Sequence, residues 1–213
     1  MINFRVFMDK LRHTFYELVQ RFTDTVSVAD RLWDEIAKHY SARQRHYHNL
    51  SHLEAMRGEL VSVTEELSYA EAVWFALYYH DLVYNVGASD NEEKSATLAQ
   101  QRLATLGADH TFTDRVARHI IATKKHEWSP DQDTNFLVDA DLSILGVSPE
   151  RYRAYTQQIR KEYAVYPDFL YHPGRRKVLR HFLDLPTIYK TEIFRNRYEA
   201  QARKNLAWEL TQL

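Results

Sequence analysis

No cysteine occurs in this chain. Disulfides and thiolate zinc sites are therefore excluded, and any metal must be held by nitrogen and oxygen donors. Glycine and proline are scarce, five of each in 213 residues, and most sit where helices would end. Alternating apolar and polar runs, the mark of half-buried strands, are few. Neither sign of charge prevails, with a formal net charge of −1. That argues against a large nucleic-acid or anionic-membrane surface and leaves room for a small phosphorylated ligand. No apolar run approaches the roughly 20 residues of a membrane span. Arg5, Asp9, Lys10 and Arg12 interrupt the N-terminal stretch where a signal peptide would need apolar residues. The expectation is a cytoplasmic protein without a membrane partner.

What the chain does have is helical periodicity. Phe4, Phe7, Leu11, Phe15, Leu18 and Phe22 recur at spacings of three and four, as do Tyr198, Ala202, Leu206 and Leu210. Between them lie helical segments near 28–40, 50–63, 68–83, 91–106, 112–125, 132–145, 149–164 and 174–184. Gly146 suits a left-handed C-terminal cap, Ser148 an N-cap and Pro149 a first helical position. Asp90 and Glu93 resemble a capping box. "VYPDFLYHPGRR" (165–176) reads as the longest loop. The fold class expected is all-α: one domain over 1–213 with about nine to eleven helices. Segment 70–83, "AEAVWFALYYHDLV", is apolar on every side after Glu71, which predicts a helix buried all round.

Histidines crowd "RHYHNLSHLE" (45–54), which holds His46, His48 and His52. His48 and His52 share a helical face if the helix has begun by His48; with Asn49 or Ser51 as N-cap, His48 lies on the entering loop. His46 points elsewhere. A His-Asp dipeptide such as His80-Asp81 arises by chance roughly 0.7 times at this composition, so the pair alone proves nothing. Its place at the end of the most apolar helix is more telling, because two buried ionisable groups need strong partners.

Taken together, "YHNLSH", "YYHD" and "DADLS" supply His, His-Asp and Asp on three separate helices. Here the chain resembles the HD superfamily of metal-dependent phosphohydrolases, whose name comes from an H…HD…D set binding a divalent metal. The local words are similar to those of cyclic-nucleotide phosphodiesterases. Across nearly its whole length the chain resembles a family of small bacterial proteins described as predicted metal-dependent HD phosphohydrolases, through "RHYHNLSH", "HDLVYN", "DNEEKSA", "ATKKHE", "DADLSILG", "IRKEY" and "ARKNLAWEL". The resemblance implies that His52, His80, Asp81 and Asp141 ligate the metal. It implies that His48 gives a proton to the leaving oxygen. The histidines of a second metal site are not obvious; His119 and His126 are the candidates. His126 is the better placed of the two, because Thr123, Lys124 and His126 lie near a helix end; a solvated basic helix terminus is the plainer account of both.

Between the two aspartates of "DADLS", the helix face discriminates. Asp139 and Asp141 lie about 200° apart around an axis of 3.6 residues per turn. Asp141 projects with Leu137, Val138, Ile144 and Leu145. Asp139 projects with Asn135 and Ser143, on what reads as the polar side. A carboxylate in an apolar stripe is costly without positive compensation, which a divalent ion supplies.

Two imidazoles and two carboxylates leave coordination positions for water and phosphate. Mixed nitrogen and oxygen ligation suits Mn, Fe, Ni, Co or Zn better than Mg or Ca. Imidazole titrates near neutrality, which suits His48 to general acid work. Arg45, Lys94 and Lys124 are candidate phosphate anchors, with Arg45 three residues before His48; His126 is a further substrate-binding candidate. Arg175, Arg176, Lys177 and Arg180 offer a place for an anionic ligand, and more simply read as the wet side of a helix whose Val178, Leu179, Phe182 and Leu183 face the core. The expected function is metal-dependent hydrolysis of a small phosphate ester, with a nucleotide as the expected substrate. The alternatives are a di-iron oxidoreductase, which would need His119 or His126 in a second metal site, and a non-catalytic binding module on the same scaffold.

Overall fold

The computed structural model describes residues 4–213, with side chains from Asp9 onward. Phe4 and Phe7 of the first apolar stripe therefore lie outside the described side chains. The described residues form ten α-helices and no strand: α1 (Phe4–Gln20), α2 (Val26–Tyr40), α3 (Leu50–Val61), α4 (Ala70–Tyr79), α5 (Asn91–Thr105), α6 (His110–Ala122), α7 (Gln132–Leu142), α8 (Pro149–Glu162), α9 (Asp168–Asp184) and α10 (Glu192–Gln212). Short 3-10 turns occupy Thr64–Glu66 and Ser143–Gly146.

The all-apolar segment becomes the centre of the bundle. Every residue of α4 from Ala72 to Tyr79 except Trp74 is buried, and α1, α3, α5, α6 and α7 all pack against it. Phe75 and Tyr78 stand edge-on to Phe15 of α1, and Phe75 edge-on to Phe112 of α6. Each such side chain stabilises the fold by about 1.5–3 kcal/mol through burial. The stripe of α10 docks as its spacing predicts, with Ala202 and Leu206 fully buried.

Four local expectations need correction. Segment 165–176 is not a loop, because α9 begins at Asp168 and runs through Pro173. The carbonyl of Pro167 accepts the Leu170 and Tyr171 amides, and Arg160 clamps the start by bonding Tyr166 O and Asp168 Oδ1. The amide that Pro173 lacks would have met the carbonyl of exposed Phe169, where water can take over. Gly146 is not a left-handed cap. It is glycine because α10 crosses directly above it: a Cβ there would lie 2.5 Å from Tyr198 Cβ and 2.8 Å from Tyr198 O. Asp90 makes no cap hydrogen bond, since Lys94 takes its carboxylate and Lys124 takes Glu93. Finally, Asp139 is fully buried. The face it shares with Asn135 and Ser143 is an internal polar seam, because α7 is covered on all sides.

Candidate metal centre

Four helix ends and two loops meet here. Asn49 caps α3 by accepting the Ser51 amide, which leaves His48 on the entering loop and puts His52 in the first turn. His80 ends α4, and its Nδ1 reaches Leu77 O at 2.9 Å. A carbonyl only accepts, so Nδ1 carries the proton and Nε2 of the neutral ring presents a lone pair. Nε2 of His52 lies 3.2 Å from Nε2 of His80, while its Nδ1 is 3.2 Å from the Tyr47 hydroxyl. Asp81 Oδ2 is 3.2 Å from His80 Nε2 and 3.9 Å from His52 Nε2. One ligand atom each from His52, His80 and Asp81 lies within 4.8 Å of the others. Asp141, from the last turn of α7, places Oδ1 3.3 Å from His52 Nε2 and Oδ2 2.9 Å from His126 Nε2.

This donor set fits a divalent cation. Facing imidazole lone pairs and two carboxylates in a nearly water-free site repel one another unless a positive charge sits among them. Without a metal, that charge is a proton. Burial opposes it, but Asp81 and then Asp141 raise the His80 pKa to about 9. Burial likewise would raise the Asp81 carboxyl, yet His80 holds it well below the usual carboxylate range. His52 is pushed down by burial, which keeps its lone pair free.

Beside this cluster stands an ion pair. His48 Nδ1 is 2.6 Å from Glu162 Oε2, and its ring lies 5.7 Å from that of His52. Glu162 is buried on α8 and also accepts the Tyr47 amide, the His48 amide and the Tyr84 hydroxyl at 2.7, 2.9 and 3.0 Å. Burial alone would lower the His48 pKa, but Glu162, Asp81 and Asp141 more than offset it and hold it above the ordinary value. Sequence reasoning passed over Glu162 as a functional residue. The signal was present: Tyr152, Tyr155, Ile159 and Glu162 are the buried positions of α8, so Glu162 is a carboxylate in an apolar stripe, the very pattern used to single out Asp141.

No family model, curated protein or solved structure matches this chain. Its chemistry therefore has to be argued from the residues themselves.

The remaining candidates are placed as follows. Arg45 is buried and lines neither pocket described below; NH1 donates to Asp81 O and His48 O, and NH2 to Leu82 O, at 2.6, 3.3 and 2.9 Å. It braces the turn that carries Asp81. Lys124 Nζ binds Ser89 O and Glu93 Oε1, each at 2.5 Å, and exposed Lys94 pairs with Asp90. His126 reaches the centre from a left-handed backbone, φ 52°, a conformation costly for a residue with a Cβ and characteristic of functional sites. His119 stays apart from the cluster, with Nδ1 2.8 Å from Thr134 Oγ1 and Nε2 buried without a partner. His46 is exposed. Arg175 is not on a wet face: its side chain is only 10% exposed and packs against Glu209, Nε to Oε1 2.7 Å. Val178, expected in the core, is 44% exposed. Asp139 receives the amides of Lys190 and Thr191 and the Thr191 hydroxyl, anchoring the start of α10.

Two pockets meet at the centre and share Tyr47, Asp141 and Ile144. One, of about 330 Å³, borders His52 and is edged by Glu59, Arg151 and Tyr198. The other, of about 140 Å³, borders His48 and His126.

Proposed function

We propose that this protein is a metal-dependent phosphohydrolase of the HD type, acting on a small phosphate ester, with residues 1–213 forming one such domain. His52, His80, Asp81 and Asp141 hold one divalent cation in this reading, and His48 is the proton donor. The observation that carries it is the adjacency of two groups: a buried His/His/Asp cluster with Asp141 against it, and a His48–Glu162 pair lining the pocket that Asp141 also lines. When bound, Mn, Fe, Ni, Co or Zn would polarise a phosphoryl oxygen and lower the pKa of water.

The chain's own residues supply the rest. Glu162 takes one ring N–H of His48 and favours the charged imidazole. The other nitrogen then carries the proton that a departing alkoxide requires. Arg45 fixes the carbonyls of Asp81 and Leu82, so the Asp81 carboxylate is held by its backbone. His126 is bonded to Asp141 and borders the small pocket, where it can meet the substrate.

Elemental analysis of the purified protein, coupled to a phosphate-release screen over phosphate esters, tests the reading. It predicts about one equivalent of a transition metal and phosphate release that a chelator abolishes. Undiminished release from the metal-free protein would overturn it, as would a metal-loaded protein that releases phosphate from no ester.

A further inference from the structure

The two pockets differ in size, and His48 borders only the smaller. A general acid must lie within hydrogen-bond reach of the oxygen it protonates, so the group that departs belongs on the His48 side. The smaller pocket is walled by Leu142, Ile144, Leu145, Leu179, Phe182 and Leu206. Much of its polar lining already has partners within the protein. Arg175 donates to both oxygens of Glu209, at 2.7 and 3.0 Å, and at 3.5 Å to the Tyr155 hydroxyl. His126 Nε2 is 2.9 Å from Asp141. A polyol placed here would have to displace these bonds or leave hydroxyls unpaired, at the cost of desolvation. The volume, about 140 Å³, matches the roughly 150 Å³ of an apolar cavity that holds a single benzene.

We propose that this pocket receives the leaving group, and that the leaving group is apolar and about one six-membered ring in size. The substrate is then the phosphate ester of a compact hydrophobic alcohol, not of a sugar or nucleoside leaving from that side. This specificity rests on the phosphohydrolase reading above for its catalytic meaning, and on the pocket alone for its binding preference.

Benzyl phosphate and ribose 5-phosphate both release a primary alcohol, so a difference in kcat/KM between them reports recognition more than intrinsic reactivity. Benzyl phosphate should be favoured by at least about tenfold, since even one methylene in an apolar pocket is worth roughly 10–200-fold. In parallel, calorimetry with manganese present compares benzylphosphonate with methylphosphonate, whose P–C bonds are not hydrolysed. The benzyl compound should bind at least about tenfold tighter. Val178 lines this pocket and is 44% exposed, so Val178→Trp should fill it and erase both preferences while thermal unfolding stays unchanged. Val178→Ala should shift the binding preference towards naphthylmethylphosphonate, which gives a second arm if the tryptophan variant folds poorly. Equal binding of benzyl- and methylphosphonate by the native chain would overturn the proposal. So would a benzyl preference that survives in a well-folded Val178→Trp. If neither ester is hydrolysed but the binding preference appears and vanishes as described, the phosphohydrolase reading falls and the apolar specificity of the pocket stands.

Discussion

Asp139 and Asp141 are two residues apart, and the proposal gives them unrelated tasks. Asp141 faces His52 and His126; Asp139 accepts three hydrogen bonds from Lys190 and Thr191. Asp141→Asn should therefore lose bound metal, as should His52→Ala, His80→Ala and Asp81→Ala. Asp139→Asn should keep its metal but lose about 0.5–2 kcal/mol of stability, the range for a lost helix cap. Metal content set beside denaturant midpoints checks both, and stoichiometries in the reverse order would sink the assignment. His48→Asn should behave differently from any ligand variant: metal content unchanged, rate lower by about 10²–10⁴-fold, and a smaller loss for esters with acidic leaving groups. Glu162 is a positioning residue, and its signature is a pH profile. Because Glu162 helps hold the His48 pKa above its ordinary value against the opposing effect of burial, the protonated donor persists to higher pH. Activity that needs this proton is lost as pH rises through that pKa. Glu162→Gln should move the alkaline limb of kcat/KM to lower pH; a limb that stays in place would refute the role.

Helices carry these residues, and two glycines show how differently helical positions can be constrained. Gly58 lies inside α3, and nothing stands within 4 Å of the place a Cβ would take. Gly58→Ala should therefore stabilise the protein by about 0.5–1 kcal/mol through lower unfolded-state entropy and better helix propensity. Gly146 ends the turn after α7, under the backbone of Tyr198. Gly146→Ala must push α10 away from that turn, and Asn205, which donates from α10 to Leu145 O and Val147 O, moves with it. Overpacking of this kind costs about 1–3 kcal/mol. Thermal unfolding of the two variants should shift in opposite directions, and a shared direction would show that the close approach of α10 is misplaced. The sequence places Gly58 inside a helical segment and Gly146 at a helix boundary; only the tertiary contact shows that Gly146 is glycine for space and not as a left-handed cap.

At the scale of the whole molecule, a histidine outside the proposed centre contributes to acid sensitivity. Burial lowers the His119 pKa to about 4, against roughly 6.5 in an unfolded chain. The neutral ring belongs to the fold. Its stabilising contribution is complete above roughly pH 6.5 and is lost as pH falls towards about 4, because the unfolded state takes up the proton first. His119→Asn, which can still meet Thr134, should flatten the stability curve across that window. A curve that falls as steeply as the native one would refer the acid sensitivity to other groups.

Fold class, the central helix and the His, His-Asp and Asp words could all be read along the chain, because each depends on residues near one another in sequence. Helical spacing reports which face is apolar, and the run from Ala72 to Tyr79 leaves no polar face at all. Asn49 as N-cap, with His48 on the loop before α3, was likewise one of two local choices open in the sequence. What distance in the chain concealed was who meets whom. Arg45 reads locally as a base beside His48, yet its guanidinium is occupied by carbonyls 36 and 37 residues away. Glu162 finds His48 across 114 residues. Asp139 looks solvated until Thr191 is folded over it, and Arg175 looks wet until Glu209 closes on it. A residue's type and helical phase fix the charge and direction it offers; whether that charge faces water, a carbonyl, a metal or a substrate depends on surfaces that only the packed bundle brings together.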